Sequence, residues 1–240
     1  MDTQTQAQIY LSDQRGCSQL DSFRSFHSFN FGSYFDESRK PFGPLQLVND
    51  DTLKAGHSIK MTVETDTEVF ILPIAGGLEY RSALGDGFLE AGQVQLFSLA
   101  AGMTYEVVNP YETEFINFLH IWLSSDYTSF APALKQTSFD LTNKNELLPI
   151  NPLASTSASG LAAFIGRYDG RHEVSYSVTK SGEPAKVNGV FVFVISGVFE
   201  VQNRLLHERD GLALTDIKNE EVEFEALSND AILLLLEVSV

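Results

Sequence analysis

Glu68-VFILPI-Ala75, closed by Gly76-Gly77, has a counterpart in Val190-FVFVI-Ser196, closed by Gly197. Both are short apolar runs rich in β-branched and aromatic residues and ended by glycine, the pattern of a buried strand entering a tight turn. Val69, Phe70, Gly76 and Glu79 meet Val190, Phe191, Gly197 and Glu200 at a constant offset of 121. After a two-residue contraction, Gly92 meets Gly211, and Tyr105-Glu106 meets Phe224-Glu225, at 119. The apolar runs Phe118-LHIW-Leu123 and Leu233-LLLE-Val238 follow at 115. A shared order of elements at near-constant offsets points to a duplicated β-domain.

Working outward, turn chemistry recurs at short intervals: Asn49-Asp50-Asp51, Leu84-Gly85-Asp86-Gly87, Asp169-Gly170, Asn188-Gly189 and Arg209-Asp210-Gly211. That rhythm suits a sandwich or barrel. Helical periodicity is scarce, and a single turn over Thr128–Leu134 is the one candidate. The stretch from Gln136 to Gly160, with Thr142-Asn143-Lys144-Asn145, two prolines and Ala154-STSAS-Gly160, reads as a connector. The expected domains are therefore 1–140 and 141–240.

The chain has 240 residues, 43% of them apolar, with 18 Phe, enough for packed cores and not for a disordered chain. Its net charge of −16, with no basic cluster beyond Arg39-Lys40, argues against direct nucleic-acid or anionic-membrane binding. Cys17 is the only cysteine, so an internal disulfide and a cysteine-rich zinc site are excluded. The polar, Gln-rich start has no secretory pattern, and no apolar run reaches the roughly 20 residues of a membrane span. A cytoplasmic protein is the expectation.

The segments Ser25-FHSFNFGSYF-Asp36 and Phe42-GPLQLVNDDTLKA-Gly56, then Glu68, Gly76 and Gly92, resemble the amino-terminal half of pirins and their bacterial quercetinase-like relatives. Ala91-GQVQLFSLAAGMTYEVVN-Pro110 and Ile121-Trp122 continue the likeness. The resemblance implies an all-β bicupin: two tandem antiparallel β-barrels of cupin or jelly-roll type. It also implies one iron in the amino-terminal barrel, held by three His and one Glu. Some members oxidise quercetin, and eukaryotic ones act as redox-sensitive transcription cofactors.

Carried over by motif, the ligand positions fall on Thr62 and Glu64, counted back from Glu68, and on Tyr105 and Val107, counted back from Asn109-Pro110. No imidazole stands at any of them. A catalytic Fe(II) or Cu(II) site prefers imidazole and carboxylate donors, so the expectation is no metal, no cofactor and no catalytic residue. The same positions in the second repeat, Glu183, Ala185, Phe224 and Ala226, offer no replacement. His57 reads as a loop residue near the barrel mouth, and a makeshift site of His57, Glu64 and Glu68 has no spacing to support it. Glu64, Asp66 and Glu68 share a face if the strand is straight, with Lys60 as a neutralising neighbour; a bent strand leaves two of the acids in solvent. His120 is expected as a hydrogen-bonded core residue, His27 as structural, and Asn49-Asp50-Asp51 as a turn.

The leading functional expectation is a pirin-like protein without the family metal, taking a small molecule in its amino-terminal barrel or docking a protein partner. The alternative is a metal-dependent quercetinase-type dioxygenase with an altered site.

Overall fold

The computed structural model describes residues 5–124, 131–151, 162–179 and 188–240, and among these the structure is almost wholly β. Two short 3-10 turns, Ser12–Gln14 and Lys218–Glu220, are the only helical elements described. The chain opens with β1 (Gln6–Tyr10). Next come β2 (Gly16–Gln19), β3 (Phe23–His27), β4 (Leu45–Leu53), β5 (Ser58–Thr62), β6 (Thr67–Ala75) and β7 (Leu78–Ser82). Then follow β8 (Gly85–Leu89), β9 (Gln93–Leu99), β10 (Thr104–Val108), β11 (Ile116–Ser124) and β12 (Ala133–Ser138). The later strands are β13 (Leu148–Pro149), β14 (Ala162–Tyr168), β15 (Glu173–Ser177), β16 (Asn188–Ser196) and β17 (Phe199–Val201). β18 (Arg204–Leu206), β19 (Gly211–Thr215), β20 (Glu221–Ala226) and β21 (Ala231–Ser239) complete the chain.

These strands form two compact units. The N-terminal unit, Arg15–Ser138, holds a seven-stranded sheet, β12-β9-β6-β11-β4-β3-β2, and a four-stranded sheet, β5-β10-β7-β8. The C-terminal unit repeats the plan with β1-β19-β16-β21-β14-β13 and β15-β20-β17-β18. The strand order through both pairs of sheets is the same, save that β2 at the edge of the seven-stranded sheet has no counterpart among the described residues. The long strands obey the offsets read from the sequence: β6 and β16 differ by 121 at both ends, β11 and β21 by 115.

Four expectations need correction. The barrels are not closed, because in each unit the strands divide into two separately hydrogen-bonded sheets. The chain crosses between those sheets at turns such as Gly76 and Gly197, both left-handed with φ of 78° and 81°. A Cβ there would approach Ile116 to 2.8 Å or Ser228 to 2.6 Å, so glycine is required at both matched positions. The division 1–140 and 141–240 misplaces the chain start: β1 pairs with β19 and belongs with the C-terminal unit. Leu134 lies in β12 against β9 rather than in a helical turn, because residues 133–138 extend to cover that sheet edge. Thr128 and its neighbours to 130, like the Ser/Ala stretch 154–160, lie outside the described residues. Lastly, the offset across β8 to β10 is 117 rather than 119. Val107 pairs with Tyr80 as Phe224 pairs with Val201, a further two-residue contraction that Gly92 and Gly211 disguise.

Each unit closes around its own apolar cluster. In the N-terminal unit the cluster includes Val63, Val69, Ile71, Phe97, Tyr105, Val107 and Phe118. In the C-terminal unit it includes Tyr168, Val192, Phe199, Leu212, Phe224, Leu233 and Leu235.

Candidate functional site: the inner face of the N-terminal unit

The pleat decides which residues can meet inside. β5 pairs with β10 so that Met61 faces Tyr105 and Ile59 faces Val107. Tyr105, Val107 and Val63 are buried in the core cluster, and Met61 and Ile59 pack against it. Thr62 and Glu64 alternate to the other side and are exposed. The count back from Glu68 fails to put them inside because residues 64–66 bend between β5 and β6. Val63 is anchored inward there by its N–H to the Met103 carbonyl and its carbonyl to Gly102 N–H.

The remaining expected residues are dispersed. Lys60 is exposed and lies opposite Glu106, and His57 is exposed with its ring Nδ1 2.7 Å from the Ala55 carbonyl. Asp66 accepts from Ala101 N–H at 3.0 Å. Glu68 is buried, and desolvation raises its carboxyl above the ordinary range. The three acids therefore do not crowd on one face, as the bent-strand reading holds. Asn109 is spent on structure: its Nδ2 donates to Leu53 and Glu114 carbonyls and its Oδ1 accepts from Tyr111 N–H. In the other unit Phe224 and Ala226 are buried in apolar core, while Glu183 and Ala185 lie outside the described residues.

What the structure does bring together is a polar row. Asn49-Asp50-Asp51 is not a turn; it lies within the nine-residue strand β4. Across the inner face, His27 pairs with Asn49, Asn49 with His120, His120 with Ile71, and Ile71 with Gln95. Asp51 stands one step along, opposite Phe118. Asn49, Asp51, Gln95, His27 and His120 are all buried, at 0–1% exposure. His120 donates from Nδ1 to Asp51 Oδ2 at 2.6 Å, with both side chains at 0% exposure. His27 is held between Ser18 Oγ at 2.8 Å and Ser25 Oγ at 3.3 Å, and desolvation lowers its pKa. Yet Asn49 Nδ2, Asp51 Oδ1, His120 Nε2 and Gln95 Oε1 make no hydrogen bond. Native interiors rarely leave such groups unpaired.

Aromatic rings wall this row. Tyr105 stacks on Phe97 at 5.4 Å and meets His120 edge-on at 5.6 Å. Its hydroxyl accepts from Trp122 Nε1 at 2.9 Å, and burial drives its pKa well above the usual phenol value. Phe31 lies 6.1 Å from Trp122 and 5.1 Å from His27, and both Phe31 and Trp122 are half-buried. The sequence signal for the row was polar residues at period two, Asn49 and Asp51, between Leu47 and Leu53 on one face of β4.

The iron implied by family resemblance does not fit the inward-facing residues. Met61, Val63, Tyr105 and Val107 supply a thioether and a neutral phenol where imidazoles and a carboxylate are needed. Among the described residues no three His, Cys, Asp or Glu side chains are grouped to hold a metal ion. Likewise no described helix is long and apolar enough to cross a membrane.

Residues 162–238 match the family model described as the quercetinase C-terminal cupin domain. A quercetin 2,3-dioxygenase from Escherichia coli K12 is 24% identical over 229 residues, covering 94% of this chain and 97% of that protein. The crystal structure of YhhW from Escherichia coli superposes with a TM-score of 0.84 at 20% identity, covering 97% of both chains. The nickel(II) complex of that bacterial pirin gives 0.83 at 19% identity over 97% of this chain and 99% of the other. With the duplicated strand plan, the chain carries a quercetinase-type cupin domain at 162–238 and is similar along nearly its whole length to bacterial pirin-like proteins.

Proposed function

We propose that this chain is a bicupin that works without the family's transition metal, its N-terminal unit binding a small molecule rather than oxidising a flavonol. One observation carries the reading: the β5–β10 pairing, with the backbone bonds of Val63 just beyond it, turns Met61, Val63, Tyr105 and Val107 inward. Valine donates nothing to a metal, and Tyr105 would have to ionise in a site where burial opposes it. The dioxygenase names of the relatives are set against this donor set. Polar recognition capacity is retained beside it, in Asn49, Asp51 and His120.

The test is elemental analysis of the purified protein beside oxygen uptake with quercetin. Well below one equivalent of iron, copper or nickel, and no flavonol-dependent uptake, is the expected result. Stoichiometric metal with turnover would overturn the reading and establish a dioxygenase built on different ligands.

A further inference from the structure

We infer that the Asn49–Asp51–His120 row is a recognition site for a small ligand bearing a protonated amine. This rests on the proposed binding role of the N-terminal unit and names its site and ligand chemistry.

The first observation is the set of polar atoms without partners. With His120 Nδ1 donating to Asp51, the neutral ring leaves Nε2 as an acceptor. Asp51 Oδ1 is also an acceptor without a donor. The row therefore offers two unused acceptors, one of them a carboxylate oxygen, against a single unused donor, Asn49 Nδ2. An ammonium group presents three N–H donors and one positive charge. It would also compensate the Asp51 carboxylate, which the neutral His120 hydrogen-bonds but does not neutralise.

The second observation is the wall. Tyr105 lies edge-on to His120, and the half-buried Trp122 and Phe31 stand further toward solvent. Aromatic faces favour cations over neutral molecules of equal size. The third is the duplicate unit. Its equivalents of Asn49, Asp51 and His120 are Phe164, Gly166 and Leu235, which hold the same strand positions. The scaffold does not need polarity there.

The experiment uses the full chain after chelation, so that bound metal and ligand recognition are read separately. Methylammonium chloride is titrated against sodium chloride and methanol controls, following emission of the single tryptophan, Trp122, and the thermal midpoint. A saturable response to methylammonium alone is expected, weakened at least tenfold in Asp51→Asn and severalfold in Asn49→Ala. The two variants guard against one failing to fold, which circular dichroism checks. An equal response to methanol would overturn recognition of charge. No response to either, or one unchanged in the folded variants, would overturn the site, leaving the row to internal water. Metal found before chelation would count against the metal-free reading alone.

Discussion

The two units share a strand plan, and they fill it with opposite chemistry. Along the inner face of the N-terminal unit run Asn49, His120, Ile71 and Gln95; the same pairings in the C-terminal unit join Phe164, Leu235, Val192 and Leu212. The C-terminal unit also buries a carboxylate, Glu237, at the position of Trp122. That carboxylate accepts from the Tyr176 hydroxyl, Thr179 N–H and Asn188 Nδ2. Asp51 has His120 on one oxygen and nothing on the other. One buried acid is saturated by the fold, and the other is left partly unused. Since a buried polar group without a partner costs about 1–3 kcal/mol, the N-terminal unit carries a penalty that its twin shows to be avoidable. Such a penalty is expected where a site serves a ligand rather than stability.

The strongest way to break this contrast is His120→Leu, which copies the C-terminal residue but strands Asp51. Loss of about 3 kcal/mol or more in urea unfolding is expected, because the buried Asp51 carboxylate loses its hydrogen-bond donor. The double change Asp51→Ala with His120→Leu should recover most of that loss, since no buried carboxylate is then left without a donor. A single-variant loss below about 1 kcal/mol would mean that Asp51 is not held as a buried carboxylate dependent on His120. Next in size is Glu237→Leu, which removes the shared acceptor of the Tyr176 hydroxyl, Thr179 N–H and one Asn188 N–H. A cost of about 2–3 kcal/mol is expected, with no change in Trp122 emission because that residue belongs to the other unit.

A smaller probe is Tyr105→Phe. It removes the acceptor of Trp122 Nε1 while keeping the stacking on Phe97. About 1 kcal/mol should be lost, with a shift of tryptophan emission as the indole loses its partner. An unchanged emission would show that the indole finds another acceptor.

The repeat was legible because apolar strands and their glycines obey local rules. Gly76 and Gly197 match in sequence because both make a left-handed crossing against a neighbouring side chain. The register of β10 was not legible, since Gly92 and Gly211 align by type although Gly92 precedes its strand and Gly211 opens one. The inward face of β5 was lost for a similar reason. A count of residues carries the face across a straight strand only, and the chain bends at 64–66. Asn49 and Asp51 looked like turn residues because asparagine and aspartate usually are. Their strand character comes from pairing with β3 and β11, at long range in sequence.

The outer faces of the four-stranded sheets sharpen the comparison at the smallest scale. In the N-terminal unit Glu106 sits between Lys60 and Arg81, and Val108 between Ser58 and Glu79, so charges of both signs are mixed. In the C-terminal unit Glu225 sits between Glu173 and Glu200, with Glu223 beside Ser175, around a concavity of about 480 Å³. Arg171 reaches Glu225 at 3.3 Å but is 80% exposed, so it offsets little of that repulsion. Like charges directly opposite on paired strands destabilise by about 0.2–1 kcal/mol each. Glu200→Lys, which turns one repulsive pair into an attractive one, should stabilise the chain by about 0.5 kcal/mol at low salt. The gain should shrink as ionic strength rises to 1 M, where screening acts over about 3 Å. Arg81→Glu in the N-terminal unit should have the opposite sign, because it breaks the alternation there. Equal effects of both substitutions at all salt concentrations would show that these faces are too well solvated for pairing to matter.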